Sequence, residues 1–187
     1  MWTGNGHSLI IDIKGCLFGF ATFSQQDYLD NTDIIKEEIR ALREAGCIYV
    51  IAQCHWGKES DFKHDKTQEA MARTCVREGA DLVVGRHPDN VQGISEINRT
   101  PVIYSLGRLI TDSSLRRKTN YSLAIQAFFD PENYNKPKIR LIPLISSSSG
   151  MIKENNYRPS SAQSEDAEQV LALIQADSGF SISTEND

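Results

Sequence analysis

The chain has 187 residues, enough for one domain with a hydrophobic core and too few for two large domains. Its apolar fraction of 40% and charged fraction of 24% are those of an ordinary globular protein. The formal charge of −5 provides no basic surface of the kind that binds nucleic acid, so no nucleic-acid partner is expected.

The first third of the chain predicts a hairpin followed by a helix. Leu9–Phe23 alternates apolar and small residues around Lys14-Gly15, a pattern typical of two short strands and a turn. Ser24–Asn31 is polar and is predicted to be a loop. A helix capped by Asn31 or Thr32 should follow and end at Gly46. Its apolar face consists of Ile34, Ile35, Ile39, Leu42 and Ala45.

The middle of the chain predicts a strand, a helix and a second strand. Ile48–Gln53 is an apolar run that suits a strand buried on both faces of a parallel sheet. After the charged loop Lys58–Asp65, Thr67–Glu78 is predicted to be a helix closed by Gly79, and Leu82–Gly85 to be the next strand. This order indicates an α/β fold with right-handed crossovers.

Beyond His87 the pattern changes to antiparallel strands. The predicted strands are Val91–Ile97, Val102–Leu106, Ser122–Phe129 and Lys138–Leu144, with turns at Asn98–Pro101 and Asp130–Pro137. They are followed by a flexible loop at Ser146–Gly150, a closing helix at Ala167–Ile174 and a disordered tail at Ser178–Asp187.

The cysteines and the chain ends bear on the compartment. Cys16, Cys47, Cys54 and Cys75 lack a CxxC spacing and are predicted to be small buried hydrophobes, which fits a reducing compartment. No stretch is long enough to span a membrane, and the first residues do not form a signal peptide. The chain as given is therefore expected to be cytoplasmic, although a longer parent protein could differ.

Two histidines carry the main chemical signal, because each directly follows an apolar strand. His55 and His87 are either hydrogen-bonded loop residues or metal ligands at the C-terminal edge of a sheet, where α/β proteins build their sites. Asp89 would add a second donor to the turn after His87, and Glu59 could ligate, orient an imidazole or be exposed. His7 and His64 are predicted to be solvated.

Together these segments resemble the CapA family of bacterial capsule-synthesis or poly-γ-glutamate (PGA) proteins. The matching segments are His55–Glu59, Gly79–Pro88, Val91–Ile94 and Tyr104–Gly107. The family pattern reads His-Trp-Gly-x-Glu, then Gly-His-His-Pro-His and Val-Val-Gln-Gly, then Tyr-Ser-Leu-Gly-Asn-Phe. Order and gaps agree, and residues 1–177 are predicted to form a partial domain of this family.

The resemblance implies an α/β fold that is the C-terminal portion of a calcineurin-like, metallophosphatase-like α/β/β/α sandwich. It also implies a site for divalent Mn, Fe or Zn, with His55 and His87 as catalytic and metal-binding residues and Asp89 as a further ligand. Glu59, Arg86, Asn90 and Arg108 would be supporting or substrate-binding residues. Parent family members can be membrane-associated or extracytoplasmic.

The chain departs from the family pattern in three respects. The Gly-Asp and Asn-His elements of the family's N-terminal part do not precede His55. Arg86 and Asp89 replace histidines of the second element, and Arg108 replaces the asparagine of the third. Arg86 would oppose metal binding unless an anion compensates.

Two functional hypotheses follow. In the first, the chain is a capsule or PGA biosynthesis protein with a metal-dependent hydrolase-type site that is incomplete in this chain. In the alternative, it is a non-catalytic split or truncated member in which Arg86 and Arg108 bind a polyanion or phosphate, or which binds a partner protein. In either case the uncovered surface predicts a partner, namely a missing N-terminal half or a second copy in a homo-oligomer.

Overall fold

The computed structural model describes residues 8–110, 120–147 and 155–179, which form nine strands and four helices. The strands are β1 (Leu9–Ile13), β2 (Cys16–Ser24), β3 (Tyr49–His55), β4 (Leu82–Arg86), β5 (Ile94–Ile97), β6 (Thr100–Ile103), β7 (Tyr121–Asp130), β8 (Asn135–Ile145) and β9 (Ser160–Ser161). The helices are α1 (Gln25–Asp30), α2 (Asp33–Glu44), α3 (Lys66–Glu78) and α4 (Ser164–Gln175).

The strands form two sheets. The larger has the order β1-β2-β3-β4-β6-β5, in which β2, β3, β4 and β6 run parallel and β1 and β5 are antiparallel edge strands. The smaller sheet is antiparallel, with the order β7-β8-β9. The predicted α/β pattern up to β4 and the antiparallel pairing of β7 with β8 are therefore confirmed.

Two hydrophobic clusters cover opposite faces of the larger sheet. One joins the sheet to α2 and α3 and contains Ile35, Ile39 and Met71. The other joins it to the smaller sheet and to α4, and its members include Tyr49, Leu123 and Val170. Because β3 and β4 are covered on both faces, their sequences are nearly continuous apolar runs rather than alternating ones.

Helices α2 and α3 end at the glycines that the sequence predicts, and α3 also begins with a side-chain cap. In α3, the Asp65 side chain accepts from the backbone N–H groups of Thr67 and Gln68, and the Gln68 side chain accepts from the Asp65 N–H, which completes a capping box. Gly79 then ends α3 with a φ of 112°, and Gly46 follows α2 with a φ of 89°. Both glycines adopt the left-handed backbone that favours glycine.

Three local predictions were wrong. The predicted loop Ser24–Asn31 contains α1, which begins where the Ser24 hydroxyl accepts from the Asp27 N–H. The predicted turn Asn98–Pro101 is only the two residues Asn98 and Arg99, with φ of 49° and 64°, and β6 already begins at Thr100. Likewise β8 begins at Asn135, within the turn predicted at Asp130–Pro137.

The predicted flexible segments fall largely outside the described residues. Of the loop Ser146–Gly150 the structure describes Ser146 and Ser147; Ser146 is buried and its hydroxyl donates to the Arg108 carbonyl. Of the tail, Ser178 donates to the Ile174 carbonyl and accepts from the Ile94 N–H. His7 and residues 180–187 lie outside the described residues.

The cysteines form no disulfide among the described residues, as predicted, although Cys16 is only partly buried. All four are free thiols, and Cys47, Cys54 and Cys75 are buried. Burial, together with the neighbouring Cys75, raises the pKa of Cys54, so this thiol stays protonated.

Candidate functional site

The two predicted site histidines meet at the C-terminal ends of neighbouring parallel strands. His55 is the last residue of β3 and lies opposite Arg86, the last residue of β4, and His87 follows directly. The ring centroids of His55 and His87 are 4.5 Å apart, and both residues are exposed. The expectation that two strand ends would bring these imidazoles together is what the structure shows.

Trp56 and Gly85 pack closely together next to the two histidines. The buried Trp56 donates its indole N–H to the Tyr104 carbonyl at 2.8 Å, and its backbone N–H donates to the Arg86 carbonyl. A Cβ atom at Gly85 would lie 2.1 Å from the Tyr104 carbonyl oxygen and 2.3 Å from the indole nitrogen. Only glycine therefore allows β4, β6 and the tryptophan to approach this closely.

The backbone of His87 has an uncommon conformation. Its φ of 104° is one that non-glycine residues rarely adopt. The next turn is held in place because the Asp89 N–H donates to the Glu59 carbonyl at 2.7 Å. Such outliers persist where the surrounding structure fixes them, and they cluster at functional sites.

The surroundings of His55 favour the neutral form of its imidazole. Partial burial, followed by the neighbouring His87 and then Arg86, lowers the pKa of His55 from the ordinary histidine value of about 6.5. A neutral imidazole has a free nitrogen lone pair, which is the form that binds a metal.

The predicted ligand Asp89 is engaged by an arginine. The Arg108 Nε donates to Asp89 Oδ1 at 2.7 Å, and an Arg108 Nη nitrogen contacts Asp89 Oδ2. The same nitrogen lies 3.2 Å from Glu59 Oε1. Arg108 and Asp89 are only partly exposed, whereas the Glu59 side chain is 69% exposed.

Asn90 follows Asp89 in the same turn and is almost completely buried. Its Nδ2 donates to the Ser60 carbonyl at 2.9 Å, while its Oδ1 has no hydrogen-bond partner within the described residues. Gln92, also buried, donates to the Asp61 carbonyl. With Asp89, three residues of the turn after His87 are thus fastened to three successive carbonyls of the loop after His55.

These side chains fit a divalent metal only in part. His55 and His87 supply two imidazole nitrogen donors side by side, which is half of a usual ligand set. Asp89 and Glu59 face Arg108 instead. Over residues 8–110, 120–147 and 155–179, no group of three or more His, Cys, Asp or Glu residues is arranged to hold a metal ion.

His64 forms a second cluster, and the prediction that it is solvated was wrong. Its Nδ1 lies 2.9 Å from Asp177 Oδ2, its ring stacks on Tyr104 with centroids 3.7 Å apart, and its side chain is 16% exposed. Asp177 Oδ2 also accepts from the Gly93 N–H at 2.7 Å. No local pattern could reveal this, because His64 and Asp177 are 113 residues apart in sequence.

Comparison with known proteins identifies the family to which this segment of the chain belongs. The family model described as "Bacterial capsule synthesis protein PGA_cap" matches residues 16–113, which contain β2 to β6 and both site histidines. The chain belongs to the PGA_cap family.

Two relatives of this PGA_cap chain carry capsule-related names. Capsule biosynthesis protein CapA of Bacillus anthracis is 31% identical over 96 residues, which cover 50% of this chain and 23% of the relative. PGA biosynthesis protein CapA of Bacillus subtilis (strain 168) is 36% identical over 74 residues, 40% of this chain and 20% of the relative. The chain thus spans about a fifth of the length of the relatives it matches.

Solved structures support the fold of the PGA_cap chain. A hypothetical protein from Thermus thermophilus superposes with a TM-score of 0.55 at 14% identity, covering 73% of this chain and 60% of that protein. A protein of Staphylococcus aureus assigned as a 5'-nucleotidase superposes with a TM-score of 0.50 at 12% identity, covering 89% and 33%. These superpositions confirm the predicted α/β sandwich fold. Among the helices of the described ranges, none has the length and apolar character needed to cross a membrane.

Proposed function

We propose that this chain is a capsule or poly-γ-glutamate biosynthesis protein whose strand-end edge supplies His55 and His87 to a divalent metal site. The observation that carries the proposal is the pair of imidazoles 4.5 Å apart on neighbouring strand ends. The lowered pKa of His55 supports it, because the ring is ready to bind a metal at neutral pH. The metal would be Mn, Fe or Zn.

The chemistry of such a site is hydrolysis or group transfer. A bound divalent metal would polarise a phosphoryl or amide group of the substrate and would activate a water molecule. In this account His55 and His87 are the ligands, and Trp56 and Gly85 fix the strand ends that present them. Arg86, exposed beside both rings, would attract the anionic part of a substrate.

Two histidines do not complete a metal site, so the proposal includes a partner. We assign the remaining ligands to a further segment of the family domain, outside these residues. β1 would be its contact, because β1 is an edge strand of the larger sheet and exposes Ile10, Ile11 and Ile13. One segment would then cover an apolar edge and complete the site.

Metal titration of purified variants tests the proposal. Calorimetry with Zn²⁺ or Mn²⁺ should show one weak site in the wild-type chain, and His55→Ala or His87→Ala should abolish it. His64→Gln is the matched control, since it removes a histidine that binds Asp177 and should leave metal binding intact. Equal binding by the wild type and by both site variants would refute the metal role.

A second candidate is a non-catalytic role in binding a polyanion. It is favoured by Arg86, whose exposed side chain has no ion-pair partner within the described residues, but less by Arg108, whose guanidinium already contacts two carboxylates. A poly-γ-glutamate oligomer should then bind without metal, and Arg86→Gln should weaken this binding. Binding that depends strictly on added metal would favour the first proposal.

A further inference from the structure

Two of the four cysteines meet in the core between the larger sheet and α3. Cys54 lies on β3 directly before His55, Cys75 lies on α3, and their Sγ atoms are 3.9 Å apart. Both residues are completely buried and belong to the same hydrophobic cluster. They are 21 positions apart in sequence, so the fold, and not the local chain, brings the two thiols together.

The separation of the two sulfurs is close to that of a covalent pair. A disulfide holds its sulfurs about 2.05 Å apart, so each Sγ atom would have to move by roughly 1 Å. A small rotation of each side chain produces a movement of this size. Cys16 and Cys47 make no such thiol contact within the described residues.

Burial decides when this pair can react. In the folded chain burial raises the pKa of Cys54, and the neighbouring Cys75 raises it further, so the thiolate that attacks a disulfide is scarce. In the unfolded chain both thiols are open to solvent. Bond formation therefore belongs to folding or to local opening, after which the closed core protects the product.

We propose that Cys54 and Cys75 form a disulfide when the chain folds in the presence of a low-molecular-weight disulfide, and that this bond joins α3 to the end of β3. The inference is independent of the proposed metal site. The bond would close a loop that contains the segment after His55 and the first turns of α3. It would therefore stabilise the oxidised chain mainly by restricting its unfolded state.

The reaction consists of two thiol–disulfide exchange steps. One cysteine thiolate attacks the small disulfide, forms a mixed disulfide with one half of it and releases the other half as a thiolate. The second cysteine thiolate then attacks the cysteine sulfur of the mixed disulfide and releases the remaining small thiolate. The two protons lost by the cysteines pass through solvent to the released thiolates. The cysteine pair is thus oxidised by two electrons, and the small disulfide is reduced to two thiols.

Refolding in a glutathione buffer tests the proposal. The full chain is reduced, unfolded in denaturant, refolded with reduced and oxidised glutathione, quenched with acid, and treated with a thiol-blocking reagent in denaturant. Mass spectrometry should find Cys54 linked to Cys75, while Cys16 and Cys47 carry the blocking group. The oxidised product should melt roughly 5 °C or more above the reduced chain, because the bond closes a long loop in the unfolded state.

Two variants separate this pair from general oxidation of thiols. Cys16→Ala/Cys47→Ala keeps only the proposed pair and should form the bond to the same extent as the wild type. Cys75→Ala should leave Cys54 without a protein partner and should lose the difference in melting temperature between oxidising and reducing conditions. If a variant does not fold, the linkage map of the wild type decides alone.

The contrary results are equally specific. A folded wild-type product in which Cys54 and Cys75 are both blocked overturns the inference. So does a product in which either of them is linked to Cys16 or Cys47. An oxidised product that melts below the reduced chain would show that the bond strains the fold, and it too would overturn the inference.

Discussion

At the scale of single residues, the chemistry of this edge depends on the state of His55. Partial burial lowers the pKa of His55, and the neighbouring His87 and Arg86 lower it further. In the unfolded chain His55 has the ordinary pKa of about 6.5. As pH falls through this value the unfolded state takes up the proton first, so His55 contributes a loss of folding stability on acidification.

A histidine titration followed by NMR checks this assignment. The ring signals of His55 should titrate with a midpoint below about 6.5. Arg86→Gln should move the midpoint upward, because one of the three causes of the shift is removed. A midpoint at or above the ordinary histidine value would contradict the described surroundings of this ring.

Gly85 offers a second test at the same scale. Gly85→Ala should lower the free energy of unfolding by about 2 to 3 kcal/mol, because the new methyl group overlaps the Tyr104 carbonyl and the Trp56 indole. Gly179→Ala is the control, since a Cβ there meets nothing within 4 Å. Denaturant unfolding measures the free energy of unfolding of both variants. Equal values for Gly85→Ala and Gly179→Ala would show that the chain can make room for the methyl group at Gly85 without losing stability.

The sequence identifies single site residues better than it identifies their partners. His55 and His87 are predictable because each ends an apolar strand, and parallel strand ends share one edge. The contact between Asp89 and Arg108 could not be predicted, because the two residues are 19 positions apart and come from separate loops. For the same reason, His64 was predicted to be solvated although it binds Asp177.

At the scale of secondary-structure elements, a buried carboxylate fastens the other end of the strands. Asp81, just before β4, accepts from the β3 N–H of Val50, from Arg43 of α2 at 2.6 Å and from Lys136 of β8 at 2.7 Å. Arg43 additionally donates to the carbonyls of Cys47, Ile48 and Gly79. This network joins both sheets and α2 at the edge opposite the two histidines.

Removing Asp81 should therefore destabilise the whole domain. Asp81→Ala leaves two cations and a buried N–H without their acceptor, and should cost about 2 to 3 kcal/mol, since both cations remain about one-third exposed. Glu44→Ala, which removes only an exposed partner of Arg40, should cost about 0.3 to 0.5 kcal/mol. Chemical denaturation compares the free energies of unfolding of the two variants. Similar losses would show that Asp81 does not stabilise the domain more than an exposed ion pair does.

The success of element prediction follows the strength of local signals. α2 and α3 have apolar faces and left-handed glycines at their ends, and β3 and β4 are continuous apolar runs, so all four were predicted. α1 was missed because it has six residues, none of them buried, and is marked only by the Ser24 cap. The first residues of β6 and β8 were assigned to turns, because proline and asparagine suggest turns even where a strand has begun.

At the scale of the whole molecule, the two sheets pack through an aromatic group. Phe18 of β2, Tyr49 of β3 and Phe129 of β7 have ring centroids 4.6 to 5.3 Å apart, and the Tyr49 hydroxyl donates to the Asp130 carbonyl. The sequence predicted two sheets but could not show which side chains join them. β1, at the end of the larger sheet, has no such cover within the described residues.

The exposed isoleucines of β1 give a test at this scale. A dye that fluoresces on apolar surfaces should bind the isolated chain, and Ile11→Thr/Ile13→Thr should reduce its signal without lowering the melting temperature, because both side chains are exposed. Leu29→Thr, on α1, removes a single exposed leucine and should change little. A monomer that binds no dye would argue against the assignment of this edge to a partner segment.

The most direct test of the central claim is a Zn²⁺ titration observed through the histidine ring signals. The account predicts that the signals of His55 and His87 shift together, with the same dependence on metal concentration, while those of His64 stay in place. If Zn²⁺ leaves both His55 and His87 unaffected, or shifts only one of them, the two strand ends do not form a metal-binding pair.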